Sequence, residues 1–537
     1  MTDNYLWWKH GVIYQIYPRS FQDSNGDGIG DLQGVIDRLD YLNDGTDASL
    51  GIDAIWFSPT FPSPMADFGY DVSDYEGVHA DFGDLATMDR LIAEAHRRGI
   101  RVILDFVPNH SSSLHPWFVE SRSSKDSPKR DWYVWRDPKP DGSPPNNWIA
   151  TFGGPTWEWD QTTQQYYLHS FLKEQPDLNW RHPEVEAAMH NVLRSWMDRG
   201  VDGFRIDVMD RIVKDPALGD NPPEPNRRYA RLFGQTALQR HTQDQNWPDI
   251  FDFVRRIRAV MDEYPERMTV GEVFGPPEQI VKYYGSERLD GLHLAFNFPL
   301  VRIWGERWNA QHIRNHVDRF EAALPPGAWP NYVFGNHDVD RMISRVNGDG
   351  QGPARARVAA LLLLTLRGTP FVYYGEEIGM ENVEIPEDRL QDPARFHARG
   401  RDPERTPMQW TREDGFTTGT PWLPYGDLRR NVEGERDDHS SLLSLYRKLI
   451  WFRRNSDALR YGAYVPLDGV PAGIYAYTRT HGVDRTLTVL NFTNDAVVFD
   501  LPPLLQAAET LIGTHGEAPA SQRIALAGNE ARLLRLG

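Results

Sequence analysis

The chain has 537 residues, no cysteine, and 58 Lys and Arg against 76 Asp and Glu, a formal net charge of −18. That length calls for one large domain with smaller ones attached, and 40% hydrophobic with 12% aromatic residues marks a globular protein with ring surface to spare. The charge disfavours nucleic-acid and membrane-surface partners, and the missing cysteines exclude disulfides, thiolate catalysis and Cys-ligated zinc.

The opening MTDNYLWWKHGVIYQ has no basic stretch followed by an apolar core, which predicts a cytoplasmic location. GVIYQIYP at 11–18 reads as a buried strand. DSNGDGIGD at 23–31 then sets oxygen side chains at Asp23, Asn25, Asp27 and Asp31 with the Ile29 carbonyl between them. This is the front half of an EF-hand-like loop, but its twelfth position is Gly34, so no bidentate glutamate closes it. The hard oxygen set predicts Ca²⁺ or Mg²⁺ and no softer metal.

Further short apolar runs follow: IDAIWFSP at 52–59, RVILDFVPNH at 101–110, VDGFRID at 201–207, MTVGEVF at 268–274, NYVFGNHD at 331–338 and TPFVYYGEE at 369–377. Between them lie helical patterns, DLATMDRLIAEAHRRG at 84–99 and PEVEAAMHNVLRSWMDRG at 183–200, with acidic starts and Arg-Gly ends. VAALLLLTL at 358–366 is too short to span a bilayer and reads as a buried helix. Strand and helix in alternation mean a parallel α/β fold. Charged residues at the C-terminal ends of several strands, with no Gly-rich phosphate loop after the first, favour a (β/α)₈ TIM barrel over a doubly wound sheet.

Two stretches depart from the alternation. The Pro-, Gly- and Trp-rich segment up to about residue 172 is too long for a βα loop and predicts an inserted domain after strand 3. From about residue 461 short alternating runs, AGIYAYTRT, RTLTVLNF and EARLLRL, predict a C-terminal antiparallel β-sandwich. The expected division is a barrel over 1–104 and 173–460, an insert over 105–172 and a sandwich over 461–537.

In VDGFRID, Arg205 and Asp207 are two apart and share a face of the strand, so the guanidinium should hold Asp207 ionised. Glu272, flanked by Val270 and Val273–Phe274 with no basic neighbour in sequence, should have its carboxyl pKa raised by desolvation. An ionised carboxylate beside a protonated one is what retaining glycoside hydrolysis requires: Asp207 would attack and Glu272 would protonate the leaving oxygen.

DFVPNH (105–110), GFRID (203–207), GEVF (271–274) and FGNHD (334–338), in this order, resemble the four signature regions of glycoside hydrolase family 13, the α-amylase superfamily. QPDLN at 175–179 and GTPFVYYGEEIGM at 368–380 resemble its further regions. WWKHGVIYQIYPRSFQDSNGDGIGDL, MADFGYDVSDY and RDPERTPMQW resemble its bacterial α-glucosidase and oligo-1,6-glucosidase branch. The resemblance implies Asp207 as nucleophile, Glu272 as acid/base and Asp338 as the carboxylate that grips the sugar's 2- and 3-hydroxyls. Arg205, His110 and His337 match sugar-contacting residues, and Asp105 a supporting aspartate. By the same resemblance Tyr70 stacks on the glucose ring, and Asp67 pairs with Arg401 to close a pocket that admits one terminal glucose. Phe152, Phe171 and Gln175 are further candidates for lining it.

The resemblance also implies that the ion of the 23–31 loop is structural, with no organic cofactor. The partners it implies are small α-glucosides such as isomaltose, maltose, sucrose-like disaccharides and short oligosaccharides, taken by a monomer or homodimer. Val208, next to the nucleophile, goes with a lean towards α-1,6 linkages in that branch. A sucrose or trehalose isomerase or transglucosylase, and a trehalose-6-phosphate hydrolase, are the alternative readings on the same scaffold.

Overall fold

The computed structural model describes residues 5–226, 235–393, 400–413, 415–516 and 519–537. Eight parallel strands form its central sheet: β1 (Ile13–Ile16), β2 (Ala54–Phe57), β3 (Arg101–Phe106), β4 (Gly203–Ile206), β5 (Met268–Gly271), β6 (Leu294–Ala295), β7 (Asn331–Val333) and β8 (Thr369–Tyr373). They pair in the order β7-β8-β1-β2-β3-β4-β5-β6, a barrel open only between β6 and β7. There the Asn331 side chain takes over, donating from Nδ2 to the Ala295 carbonyl at 2.6 Å and accepting from the Asn297 N–H at 3.3 Å.

Both faces of the strands are buried, as a parallel barrel requires. Alternate residues point inward, where Ile13, Trp56, Ile103, Val270, Val333 and Phe371 fill the barrel; Tyr14, Ile55, Leu104 and Ile206 point out against the helices. The helix Leu85–Arg97 starts where Asp84 accepts from the Thr87 N–H at 2.7 Å, and Pro183–Asp198 starts with Pro and two glutamates in its first turn. Gly352–Thr365, which contains most of the apolar 358–366 run, is buried almost all round. Among the described residues no helix is long and apolar enough to cross a membrane.

β3 runs on to Phe106, pairing Asp105 with Arg205 and Phe106 with Ile206, so Asp105 and Phe106 belong to the barrel and not to the insert that was expected to begin at 105. Beyond it the chain builds a small antiparallel sheet from Trp135–Arg136, Trp157–Asp160 and Gln165–Leu168, over a cluster of Trp148, Trp157 and Leu168. At the C-terminus a five-stranded and a two-stranded antiparallel sheet enclose Ile474, Leu487, Val489, Ile524 and Leu534.

Candidate active site

The strand register places the chemistry. Asp105 on β3 lies beside Arg205 on β4, and Arg205 lies beside Val270 on β5. Side chains two residues on share that face, so Asp207 and Glu272 emerge together just past the C-terminal ends of β4 and β5. Backbone hydrogen bonds extend the ladder by one rung: Asp207 N–H donates to the Phe106 carbonyl at 2.8 Å and Glu272 N–H to that of Ile206 at 2.8 Å.

Arg205 is 2% exposed and ties the carboxylates into one unit. Its Nη1 donates to Asp207 Oδ1 at 2.7 Å and Asp105 Oδ1 at 2.8 Å, and its Nη2 to Glu272 Oε2 at 2.5 Å. The Val208 N–H adds a donor to Glu272 Oε2 at 3.2 Å. Val208 makes this bond with φ 35° and ψ 48°, a left-handed conformation that costs a β-branched residue about 1–3 kcal/mol.

This corrects the sequence-based electrostatics in two respects. Glu272 has no basic neighbour in sequence, yet in space it shares the guanidinium with Asp207. Asp207 is not held below the carboxylate range: burial raises its pKa well above the ordinary value, the nearby carboxyls Glu272 and Asp105 add to the rise, and Arg205 only partly offsets them. Asp105 is likewise pushed up to about 6, by burial first. Three carboxyls around one cation leave surplus negative charge at the cluster, which opposes ionisation of Asp207 and Asp105.

A pocket of about 220 Å³ opens above this cluster. Asp67, Tyr70, His110, Phe152, Phe171, Asp207, Glu272, Asp338 and Arg401 all line it. Arg205 and His337 lie beneath, bonded to the lining residues. Gln175 does not line the pocket; fully buried behind the wall, it bonds Asp67 Oδ2 at 3.1 Å and His110 Nε2 at 3.0 Å. The Tyr70 and His337 rings lie nearly parallel, centroids 5.6 Å apart and planes at 4°, with the Tyr70 hydroxyl 2.7 Å from His337 Nε2 and donating to Asp105 Oδ2 at 3.0 Å.

The Asp67–Arg401 pair closes one end at 2.7 Å. Arg401 also holds Asp338 at 3.0 Å and grips Asp392 through Nε and Nη2, both at 2.8 Å. Asp338 accepts in addition from Arg405 at 3.1 Å; burial alone would raise its pKa, but His337 and the two guanidiniums hold it well below the usual carboxylate range. Asp338 is therefore a fixed negative charge facing the pocket. Asp392, Arg405, Phe274, and Gln15, which sits 2.8 Å from His337 Nδ1, were not singled out from sequence. The repeated arginines of GRDPER at 400–405 were the only signal for the first two.

The 23–31 loop lies apart from the pocket. Asp23 accepts from the Asn25, Gly26 and Gly28 N–H groups and from Thr417 Oγ1, and Asp31 caps the helix Leu32–Asp37 through the Gly34 N–H. Among the described residues no three His, Asp or Glu side chains converge as a metal cluster. The donor chemistry of the loop fits a hard cation, while its carboxylates also serve the loop's own hydrogen bonds.

A (β/α)₈ barrel whose mouth sets two carboxyls on one guanidinium, with a third, permanently charged carboxylate facing them, has the parts of a retaining glycosidase. A family model for the alpha amylase catalytic domain matches residues 15–462, and the chain belongs to that family. A probable alpha-glucosidase of Rhizobium meliloti is 44% identical, the match covering 95% of this chain and 93% of that protein. An oligo-1,6-glucosidase of Parageobacillus thermoglucosidasius is 38% identical, with 99% of each chain covered. The crystal structure of an alpha-glucosyl transfer enzyme superposes with a TM-score of 0.92 at 39% identity, covering 99% of this chain and 100% of that one.

Proposed function

We propose that the protein is an exo-acting, retaining α-glucosidase that releases α-glucose from the non-reducing end of short α-glucosides. The observation that carries this reading is the convergence of Asp207 and Glu272 on the two ends of the Arg205 guanidinium, at the floor of a pocket closed by Asp67 and Arg401. Arg205 takes Asp207 Oδ1, leaving Oδ2 of the carboxylate to attack the anomeric carbon, while the Glu272 carboxyl gives a proton to the glycosidic oxygen. The leaving group departs with that proton and a glucosyl-aspartate forms. Glu272, now a base, draws a proton from water, whose oxygen displaces Asp207 with the original α configuration.

Asp338 and Arg401, already bonded to each other, take the sugar hydroxyls in this reading, and Tyr70, held through its hydroxyl by His337, offers the sugar a ring face. Val208 lines the pocket, and the lean towards α-1,6 linkages follows from the resembling branch, where valine at this position goes with that preference; one such contact is worth about 1–3 kcal/mol between leaving groups. The likeness to an alpha-glucosyl transfer enzyme favours transfer to a sugar hydroxyl as the second reading. Proton NMR of the first minutes of reaction on isomaltose and maltose tests these points. The expected result is α-glucose first, faster from isomaltose; β-glucose first would break the mechanism, and new glycosidic signals without free glucose would favour transfer.

We further propose that the 23–31 loop holds a structural Ca²⁺ or Mg²⁺ through Asp23, Asn25, Asp27, the Ile29 carbonyl and Asp31. The hard oxygens at alternate positions support it, and the ion takes no part in the chemistry. Chelation is expected to lower the Tm of the wild-type protein but not of Asp27→Ala, a substitution at an exposed position that leaves Asp23 and its turn intact. An equal response of both proteins to chelation would count against the site.

A further inference from the structure

We propose that Asp210 is a positioning residue for the acid/base: its carboxylate carries the hydrogen-bond ladder between β4 and β5 past the point where Val208 breaks it, and so holds Glu272 in place relative to Asp207. The proposal rests on the α-glucosidase reading and adds a residue to its acid step. In a regular parallel ladder the Ile206 carbonyl takes the Glu272 N–H, the Val208 N–H goes to the Glu272 carbonyl, and the Val208 carbonyl takes the Phe274 N–H. Of these three bonds only the first is made, at 2.8 Å. Val208 turns left-handed instead, gives its N–H to the Glu272 side chain and its carbonyl to the Arg211 N–H at 2.9 Å. That puts a donor on the acid/base, but it removes two rungs just where β5 stops, at Gly271.

The next two residues replace both rungs. The Met209 N–H reaches the Glu272 carbonyl at 2.9 Å, and Asp210 Oδ2 stands in for the Val208 carbonyl, taking the Phe274 N–H at 3.1 Å. The chain that carries the nucleophile therefore grips the acid/base on both sides, through the Glu272 N–H before it and the Phe274 N–H after it. The grip is anchored from behind. The Asp210 carbonyl accepts from the Asn246 N–H at 2.7 Å, and Asn246 Oδ1 accepts from the Tyr283 hydroxyl at 2.8 Å and from Gln279 Nε2 at 3.0 Å. Asp210 does this at a cost. It is fully buried, and its Oδ1 has no hydrogen-bond partner among the described residues. Burial pushes its carboxyl up to about 6, with Arg211 and the Phe274 N–H offsetting part of the rise and Glu272 adding to it. An apolar side chain of the same shape would pack here without that penalty. A left-handed β-branched residue and a buried carboxyl with one oxygen unpartnered, both at the junction between nucleophile and acid, are costs that packing alone does not require.

Steady-state kinetics on phenyl and dinitrophenyl α-glucoside test this, because only the phenyl leaving group needs the proton of Glu272. Asp210→Ala is expected to lower kcat/KM on phenyl α-glucoside by about tenfold, since a displaced acid meets the leaving oxygen out of line, and to leave the dinitrophenyl glucoside almost unaffected. Asp210→Asn, whose amide oxygen can still take the Phe274 N–H, should recover most of that loss. Asp210→Leu keeps the shape without the acceptor and should behave as Asp210→Ala does; it decides the matter if the space left by alanine unfolds the protein. Equal losses on the two glucosides, full activity on both in the alanine or leucine variant, or an asparagine variant as slow as the alanine one overturns this proposal alone. Release of glucose from neither glucoside by the wild type overturns the α-glucosidase reading and this proposal with it.

Discussion

Asp207→Asn is expected to lower kcat/KM on aryl α-glucosides by about four orders of magnitude while leaving the fold intact, because the amide cannot form the glucosyl ester. Glu272→Gln should cost as much on disaccharides but far less on dinitrophenyl α-glucoside, whose leaving group departs without a proton. Azide separates the two roles. With Asp207→Ala it attacks the substrate directly and gives the β-glucosyl azide; with Glu272→Ala it attacks the covalent intermediate and gives the α-glucosyl azide. The opposite anomers would exchange the assignments, and near-wild-type turnover in either variant would remove that carboxyl from the mechanism. Stability adds a second readout. Burial raises the folded-state pKa of Asp207 above its unfolded value, so the ionised group costs stability as pH rises through that interval. Asp207→Asn lacks this cost: its Tm should match the wild type below the unfolded carboxylate pKa and exceed it at neutral pH.

Much of this site is legible in the amino-acid sequence, for reasons that the strands make plain. Arg205 and Asp207 are two apart in one strand, and a period of two guarantees a shared face. The Glu272–Arg205 contact joins residues 67 apart in sequence through the β4–β5 register, which no local pattern reports, and the burial that raises the Asp207 pKa despite Arg205 is likewise set by the fold. Seven of the eight barrel strands show themselves as apolar runs. β6 does not, because two residues, Leu294 and Ala295, are too few to show a period, and because its far edge is joined to β7 by the Asn331 amide instead of a ladder. Asp392 and Arg405 escaped because they sit in long loops after β8, where composition marks irregular chain and says nothing of which carboxylate each arginine meets. The motif points to Gln175 as a wall residue; in place it buttresses Asp67 and His110 from behind, a distinction of depth that the motif does not carry.

Arg205→Met should be the most damaging single change to the structure of the site. The side chain is buried, lies 5.4 Å from the Trp56 ring centroid and serves three carboxyls, so its loss leaves Asp105, Asp207 and Glu272 facing one another without a cation. Breaking a buried ion pair from one side costs about 3–5 kcal/mol. Arg205 offsets part of the rise in the folded-state pKa of Asp105 and Asp207, so losing it raises both further; the cost is largest at neutral and higher pH and fades as pH falls and these two take up protons. Thermal unfolding from pH 4 to 8 should therefore show the variant closing on the wild type at the acid end; a uniform Tm deficit would mean that lost packing, not charge, dominates. Arg205→Lys separates stability from catalysis. A single ammonium restores a positive charge but cannot reach Asp105 and Asp207 through one nitrogen and Glu272 through another, so the Tm should partly recover while kcat stays low. If Lys restored both, the charge alone would suffice; low activity at a recovered Tm would show that the fork positions the nucleophile and acid relative to each other.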